Sequence, residues 1–281
     1  MSVRKRFSCN YDRIELIITY ACNMRCNNCD ALVPQAPSKE RLTLDDIKFF
    51  IKESINNDKK WERIRILGGE PTLHKQIFEI LDVLLIYKRE FSPNTKIQLV
   101  SNGHGKAVHK VLSRIPSDIE IENSQKTSNI QPTFTPINLA PIDDPQSSKQ
   151  DFTKGCWIPS LCGITLDMHG YYPCSAAAAF DRIFGFNSGE KKIPCEVGTL
   201  EKKFKQFCQY CGHFKDVIND YAESDILTKE DVLKFEKIQQ ENFKKTQAFY
   251  NITDNPLSKT WVEKLSAYNI KKPALSRYNE K

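Results

Sequence analysis

The most constraining feature of the sequence is the alternation of strand-like and helix-like segments over residues 13–122. Alternating, β-branched runs predict strands at residues 13–19, 63–67, 95–100 and 118–122. Amphipathic runs predict helices at residues 44–57, 75–90 and 105–114, and Thr43 with Asp46 forms a capping-box pattern before the first. This order predicts the α/β class, with a parallel sheet or barrel and chemistry at the carboxyl ends of the strands.

The alternation stops after Glu122, where the chain becomes rich in proline. We expect one more short strand near residues 134–139, which would make a truncated parallel β/α barrel of about five strands that lacks one crossover helix. Beyond a polar boundary, residues 164–174 predict a β-hairpin with Gly170 in the turn, and Thr228 with Asp231 opens a predicted helix over residues 229–250. The predicted domains are residues 1–145, 146–220 and 221–281, the last a helix followed by an irregular tail.

Composition limits the classes of protein that fit. The 281 residues carry a formal net charge of +6, with lysines interleaved among acidic residues, so neither a nucleic-acid surface nor a membrane partner is expected. There is no apolar run long enough to cross a membrane and no secretory signal pattern. We therefore expect a cytoplasmic protein, in which the ten cysteines are metal ligands or reactive groups and not disulfides.

Three of these cysteines, Cys22, Cys26 and Cys29, lie within eight residues directly after the first strand. A structural zinc site needs four ligands, and a cubane iron–sulfur cluster needs one thiolate for each iron. Three thiolates on one loop can hold three irons of a cubane and leave the fourth iron open to a ligand with its own N and O donors. A zinc site that borrows a distant ligand and unligated thiols are the alternatives.

This triad, followed by Gly68-Gly69-Glu70-Pro71 after the second strand and Ser101-Asn102-Gly103 after the third, resembles the radical S-adenosylmethionine (SAM) superfamily. The resemblance covers about residues 12–140. It implies a 4Fe–4S cluster on the three cysteines, with SAM chelated by the open iron. One electron then cleaves SAM to methionine and a 5′-deoxyadenosyl radical, which abstracts a substrate hydrogen atom.

The resemblance also implies which other residues bind SAM. Gly68, Gly69 and Glu70 match the motif that meets the amino group of SAM, and the absence of side chains at the two glycines lets the backbone approach it. Ser101 and Asn102 match the polar end of the third strand, and Glu122 is a further candidate for which a capping role is the alternative. Asn28 departs from the family, which usually has an aromatic or apolar residue there, near the adenine.

A second cysteine group near the C-terminus resembles the twitch or SPASM-like domain of some radical SAM enzymes, which carries an auxiliary 4Fe–4S cluster. The candidate ligands are Cys156, Cys162, Cys174, Cys208 and Cys211. Cys174, Cys208 and Cys211 are the core of the set, and the sequence leaves open whether Cys156 or Cys162 completes it. Zinc is the alternative metal, and Cys9 and Cys195 are expected to be ordinary thiols.

An auxiliary cluster that accepts an electron from a substrate radical would make the net reaction a two-electron oxidation. The short chain and single auxiliary cluster resemble the radical SAM dehydrogenases of aminocyclitol alcohols, so we expect an oxidoreductase acting on a sugar, cyclitol or similar intermediate. The alternatives are a maturase of a ribosomal peptide, an activase of a partner protein, and a non-catalytic metalloprotein. The resemblance implies an electron donor such as flavodoxin or ferredoxin.

Three further residues are candidates for a base or a substrate anchor: Lys126, His169 and Arg182. Lys126 follows the fourth predicted strand, His169 lies in the hairpin turn and Arg182 follows a run of alanines. A purely structural role is the alternative for each.

Overall fold

A computed structural model describes residues 6–131, 134–214 and 258–271. Its strands are β1 (Arg13–Thr19), β2 (Arg63–Gly68), β3 (Lys96–Ser101), β4 (Glu120–Asn123), β5 (Ile164–Asp167) and β6 (Gly170–Tyr172). Its α-helices are α1 (Leu44–Asn56), α2 (Ile77–Glu90), α3 (Lys106–Leu112), α4 (Ile158–Cys162), α5 (Ser175–Phe184), α6 (Phe204–Cys208) and α7 (Lys259–Lys271). The predicted helix at 229–250 lies outside the described residues.

The six strands form one sheet in the order β4-β3-β2-β1-β5-β6. All neighbours pair in parallel except β5 and β6, which form the predicted antiparallel hairpin. The predicted α/β class with a mainly parallel sheet is therefore confirmed. Because β5 pairs directly with β1, the hairpin that we assigned to a separate C-terminal unit continues the core sheet.

One face of the sheet is apolar and the other carries charged residues. Ile14, Leu16, Ile64 and Ile66 are fully buried in the core cluster that also contains the inner faces of α1 and α2. Side chains alternate across a strand, so Glu15 and its register partner Arg65 point to the opposite face. Helices α1 and α2 thus cover one side of the sheet. On the other side α5 packs around Ile17, and the part that carries Glu15 and Arg65 lines a cleft.

Local sequence signals explain where α1 begins. The Thr43 hydroxyl accepts a hydrogen bond from the Asp46 amide (3.1 Å), and the Asp46 carboxylate accepts one from the Thr43 amide (2.7 Å). This is the predicted capping box, which satisfies two amide groups at the start of the helix.

Two expectations were wrong. Residues 134–139 form no strand, because Pro136 has no amide proton to donate to a ladder. The segment instead accepts isolated backbone hydrogen bonds, from the Gly212 amide to the Ile137 carbonyl (2.7 Å) and from the Ser258 amide to the Asn138 carbonyl (3.1 Å). The tail is not irregular throughout, because residues 259–271 form α7. Trp261 of α7 is fully buried against Phe180 of α5, which explains why α7 packs there.

No helix in the described ranges is long and apolar enough to span a membrane.

Candidate functional site: a cleft at the carboxyl ends of the strands

The three N-terminal thiols lie on the loop that follows β1. Cys26 is buried, Cys22 and Cys29 are partly buried, and all three line one cleft of about 570 Å³. Burial raises the pKa of Cys22, and it raises the pKa of Cys29 to about 11. At these two positions the protein alone therefore favours the neutral thiol at pH 7, and a bound metal would supply the positive charge that a thiolate needs.

Nitrogen donors surround two of these sulfur atoms. The Met24 amide lies 3.4 Å and the Asn102 side-chain amide 3.8 Å from Cys22 Sγ, and the Gln131 side-chain amide lies 3.7 Å from Cys26 Sγ. Donors at such distances stabilise negative charge on sulfur, which favours the ligand form of the thiols.

The Gly-Gly-Glu segment closes tightly onto the cysteine loop. The amides of Gly69 and Glu70 donate to the carbonyls of Thr19 and Ala21, both at 2.8 Å. A Cβ at Gly69 would come within 2.3 Å of the Ala21 carbonyl oxygen and 3.0 Å of Cys22 Cβ, so only glycine fits. Gly68 and Gly69 both line the cleft, with backbone and no side chain facing it.

Glu70 is the centre of a buried hydrogen-bond network and is not a residue of the cleft wall. Its carboxylate accepts from the Thr72 hydroxyl (2.7 Å) and amide (3.1 Å), the Ser101 hydroxyl (3.0 Å) and the Asn102 amide (2.8 Å). These bonds tie the end of β2 to the end of β3. The structure therefore gives Glu70 a positioning role for Ser101 and Asn102, which do line the cleft.

Asn28 also has a structural explanation. Its backbone has φ 57°, in the left-handed region that asparagine adopts more readily than an aromatic or β-branched residue. It is buried and does not line the cleft. The departure from the family's aromatic residue thus coincides with a turn between Cys26 and Cys29.

The floor of the cleft is charged, and of its residues only Glu122 was among the candidates predicted from the sequence. Arg65 donates to Glu15 (2.8 Å) and makes a two-pronged contact with Glu122. Although burial would lower the pKa of Arg65, the two carboxylates raise it above its usual value, so the guanidinium stays charged. Glu15 stands between Ile14 and Leu16, and Arg65 between Ile64 and Ile66. A charged residue between buried apolar neighbours was the signal that could have revealed them.

Of the three candidates for a base or anchor, only Lys126 lines the cleft, with its ammonium 4.5 Å from the centre of the Phe134 ring. His169 lies outside the cleft wall, 3.4 Å from Glu40, and this hydrogen bond raises the pKa of the imidazole. Arg182 is buried behind the cysteine loop.

Arg182 clamps that loop. Its guanidinium donates to the Ala36 carbonyl (2.8 Å) and the Ala31 carbonyl (3.4 Å) and lies 4.0 Å from the centre of the Tyr20 ring. Tyr20 precedes Cys22, and both carbonyls follow Cys29. Arg182 therefore holds the two ends of the thiol-bearing segment together.

We expect Arg182→Met to empty the site on this loop. The change leaves two carbonyls without their donor, at a cost of about 1–3 kcal/mol each, and frees the loop. The anaerobically reconstituted variant should lose the iron held on this loop, about four atoms, and Arg182→Lys should retain part of it. Arg114→Met, at an exposed arginine that stacks on Phe78, is the control. Unchanged iron content in Arg182→Met would exclude the clamp.

Four of the five C-terminal candidates surround one apolar cavity. Its walls include Phe180, Phe204, Phe207 and Phe214 and the four cysteines Cys156, Cys174, Cys208 and Cys211. Burial raises the pKa of Cys211, and the other three thiols are close enough to raise it further. Cys162 instead lines the cleft beside Glu15 and Arg65, where burial raises its pKa to about 12.

The two sets of thiols differ in the room around them. Within the described ranges, no group of three or more His, Cys, Asp or Glu side chains is arranged to hold a metal ion. Cys22, Cys26 and Cys29 line one cleft of about 570 Å³, and three thiols of this kind are the donor set of a 4Fe–4S cluster with one open iron. The four-cysteine cavity is only about 20 Å³, the room of about one water molecule, so it would have to open on loading.

Comparison with known proteins gives a partial match. Residues 16–115 match the model of the Radical SAM superfamily, which confirms the resemblance for that domain. The GTP 3′,8-cyclase of Haemophilus ducreyi is 37% identical over 101 residues, covering 35% of this chain and 28% of the relative. That of Campylobacter curvus is 28% identical over 127 residues, covering 42% and 38%. The match thus spans well under half the length of these relatives.

Two solved structures of BtrN are also similar. One, in complex with AdoMet and 2-DOIA, has 14% identity and a TM-score of 0.41 over 80% of this chain and 98% of the other. The second, in an open conformation, has 16% identity and a TM-score of 0.39 over 82% and 99%. At these TM-scores the likeness carries no weight for the fold or the reaction.

Proposed function

We propose that this chain, whose residues 16–115 carry a radical SAM superfamily domain, is an oxidoreductase that removes two electrons from a small molecule such as a sugar or cyclitol. The observation that carries the proposal is the convergence of three thiols, two glycines and the Ser101-Asn102 pair on one cleft at the carboxyl ends of β1, β2 and β3. This is the edge of a parallel sheet at which α/β enzymes bind their ligands.

When bound, a 4Fe–4S cluster and SAM would supply reductive cleavage of SAM and a 5′-deoxyadenosyl radical. Cys22, Cys26 and Cys29 would hold the cluster, and Asn102 would donate to Cys22. Gly68 and Gly69 would give SAM an unobstructed backbone surface, and Glu70 would keep Ser101 and Asn102 in position. Asn28 would shape the turn of the cysteine loop and not contact adenine.

The second half of the proposal is an auxiliary site. Cys156, Cys174, Cys208 and Cys211 would hold a second 4Fe–4S cluster that accepts the second electron, and their shared cavity supports this set over one with Cys162. The described residues 146–214 would supply a twitch-like unit around it, which shares β5 and β6 with the core sheet. The shared sheet of β1 to β6 would act as a truncated barrel, with its charged face turned to the substrate.

The cleft floor suits a small polar substrate. Glu15, Arg65 and Glu122 form a fixed pattern of carboxylates and guanidinium that can bind hydroxyl or amino groups. Lys126 stands at the same cleft and would anchor the substrate or take its proton. Removal of one hydrogen atom by the radical, followed by one proton and one electron, converts an alcohol to a ketone.

The proposal is tested by anaerobic incubation of the reconstituted, reduced protein with SAM and with candidate sugars, cyclitols and peptides in parallel. We expect one 5′-deoxyadenosine for each product molecule, a product two mass units lighter than its substrate, and deuterium transfer from a labelled alcohol carbon into 5′-deoxyadenosine. A modified peptide with no small-molecule product would contradict the dehydrogenase assignment and favour a maturase.

A further inference from the structure

A second concave surface lies on the outer side of the cysteine loop. This outer groove has a volume of about 160 Å³ and is lined by residues that include Cys22, Arg25, Pro34, Pro37 and Lys39. Cys22, Met24 and Val33 line both this groove and the cleft, and the other residues that line the groove do not line the cleft. The groove therefore reaches a proposed cluster ligand from a surface that is largely distinct from the cleft.

The outer groove is positively charged. Arg25 and Lys39 are exposed, and the described residues that line the groove include no aspartate or glutamate. The nearest acidic residue along the chain, Glu40, accepts a hydrogen bond from Ser38 (2.7 Å) and pairs with His169 (3.4 Å). Arg41 is a further exposed cation next to it. The local field therefore attracts a negatively charged partner.

The shape suits a brief protein encounter. The partly buried rings of Pro34 and Pro37 give a stiff apolar patch between the two cations. A small apolar patch with a charged rim is typical of weak electron-transfer complexes, which bury little surface and associate quickly by electrostatic steering.

We propose that the outer groove docks an acidic one-electron carrier protein, a reduced flavoprotein or iron–sulfur protein, which delivers its electron through the Cys22 side of the loop. The inference rests on the proposed function, because only a reductive SAM reaction needs this electron. For each SAM cleaved, the carrier is oxidised by one electron and the carbon–sulfur bond of SAM accepts it. The substrate can stay in the cleft, because most of the residues that line the groove do not line the cleft.

The test compares two double variants with the same change in net charge. The first, Arg25→Glu with Lys39→Glu, reverses the charge of the groove. The control, Lys52→Glu with Lys205→Glu, changes exposed lysines of α1 and α6 that line none of the three cavities. Formation of 5′-deoxyadenosine is measured with dithionite and with a purified reduced flavodoxin at several salt concentrations. We expect the groove variant to need about tenfold more flavodoxin at low salt, with normal dithionite rates.

Equal flavodoxin dependence in the wild type, the groove variant and the control would overturn the docking site. Absence of SAM cleavage by the wild type with dithionite would overturn the proposed function itself, so the two failures are distinct. If the groove variant loses its rate with dithionite because the loop is damaged, the docking site is tested on the wild-type protein instead. Carbodiimide cross-linking to flavodoxin should then join Lys39 to the carrier, and cross-links only at Lys52 or Lys205 would contradict the proposal.

Discussion

Simultaneous replacement of Cys22, Cys26 and Cys29 by alanine is expected to remove about four of about eight irons and to abolish 5′-deoxyadenosine formation. The three thiols are the only cysteines in the cleft besides Cys162 among the described residues, so no neighbouring thiol set can replace them. Iron and sulfide analysis of anaerobically reconstituted protein measures the first effect, and chromatography of the SAM reaction measures the second.

The matched control is Cys195→Ala, which removes an exposed thiol that lines none of the three cavities. It should keep the full iron content and the full rate of SAM cleavage. A triple variant that still makes 5′-deoxyadenosine would show that the radical chemistry does not depend on the cysteine loop.

Cys174→Ala is expected to lose about four irons as well, but to spare SAM cleavage while substrate oxidation falls to background. Cys174 belongs to the cavity behind the cleft, so its loss should remove the acceptor of the second electron and leave the SAM site in place. Iron content, 5′-deoxyadenosine and oxidised product are measured on the same preparation.

Two single variants decide the fourth ligand of this site. Cys156→Ala should behave as Cys174→Ala does, whereas Cys162→Ala should retain about eight irons, because only Cys156 shares the cavity. The reverse result would make Cys162, and not Cys156, the fourth ligand. Retention of about eight irons by Cys174→Ala would contradict an auxiliary cluster bound to this cysteine.

Strong local signals made much of the fold predictable. Strand β1 alternates β-branched residues, and the Thr43–Asp46 box fixed the start of α1 in the sequence as in the structure. The failure at residues 134–139 has a physical cause, because β-propensity depends on a partner strand and Pro136 cannot complete a ladder.

The residues of the site were predictable where the spacing of cysteines and glycines along the sequence indicates the chemistry. They were less predictable where a role depends on the direction in which a side chain points. The cysteine triad and the glycine pair meet at one cleft as expected. Arg182 was a candidate for the cleft, but its side chain contacts the back of the cysteine loop. The sequence of α5 alone does not indicate which part of the protein packs against each face of the helix. Cys156 and Cys162 lie only six residues apart, yet α4 and the turn at Gly163 against β1 direct them to different cavities.

The most direct test of the account is spectroscopic. The reduced, reconstituted protein should show an electron paramagnetic resonance signal that changes when SAM is added, with hyperfine coupling to ¹⁵N in the amino group of labelled SAM. That coupling is predicted because three thiolates leave one iron of the cluster open to this nitrogen. A reduced cluster whose spectrum is indifferent to SAM, with no coupling to the label, would contradict the central claim.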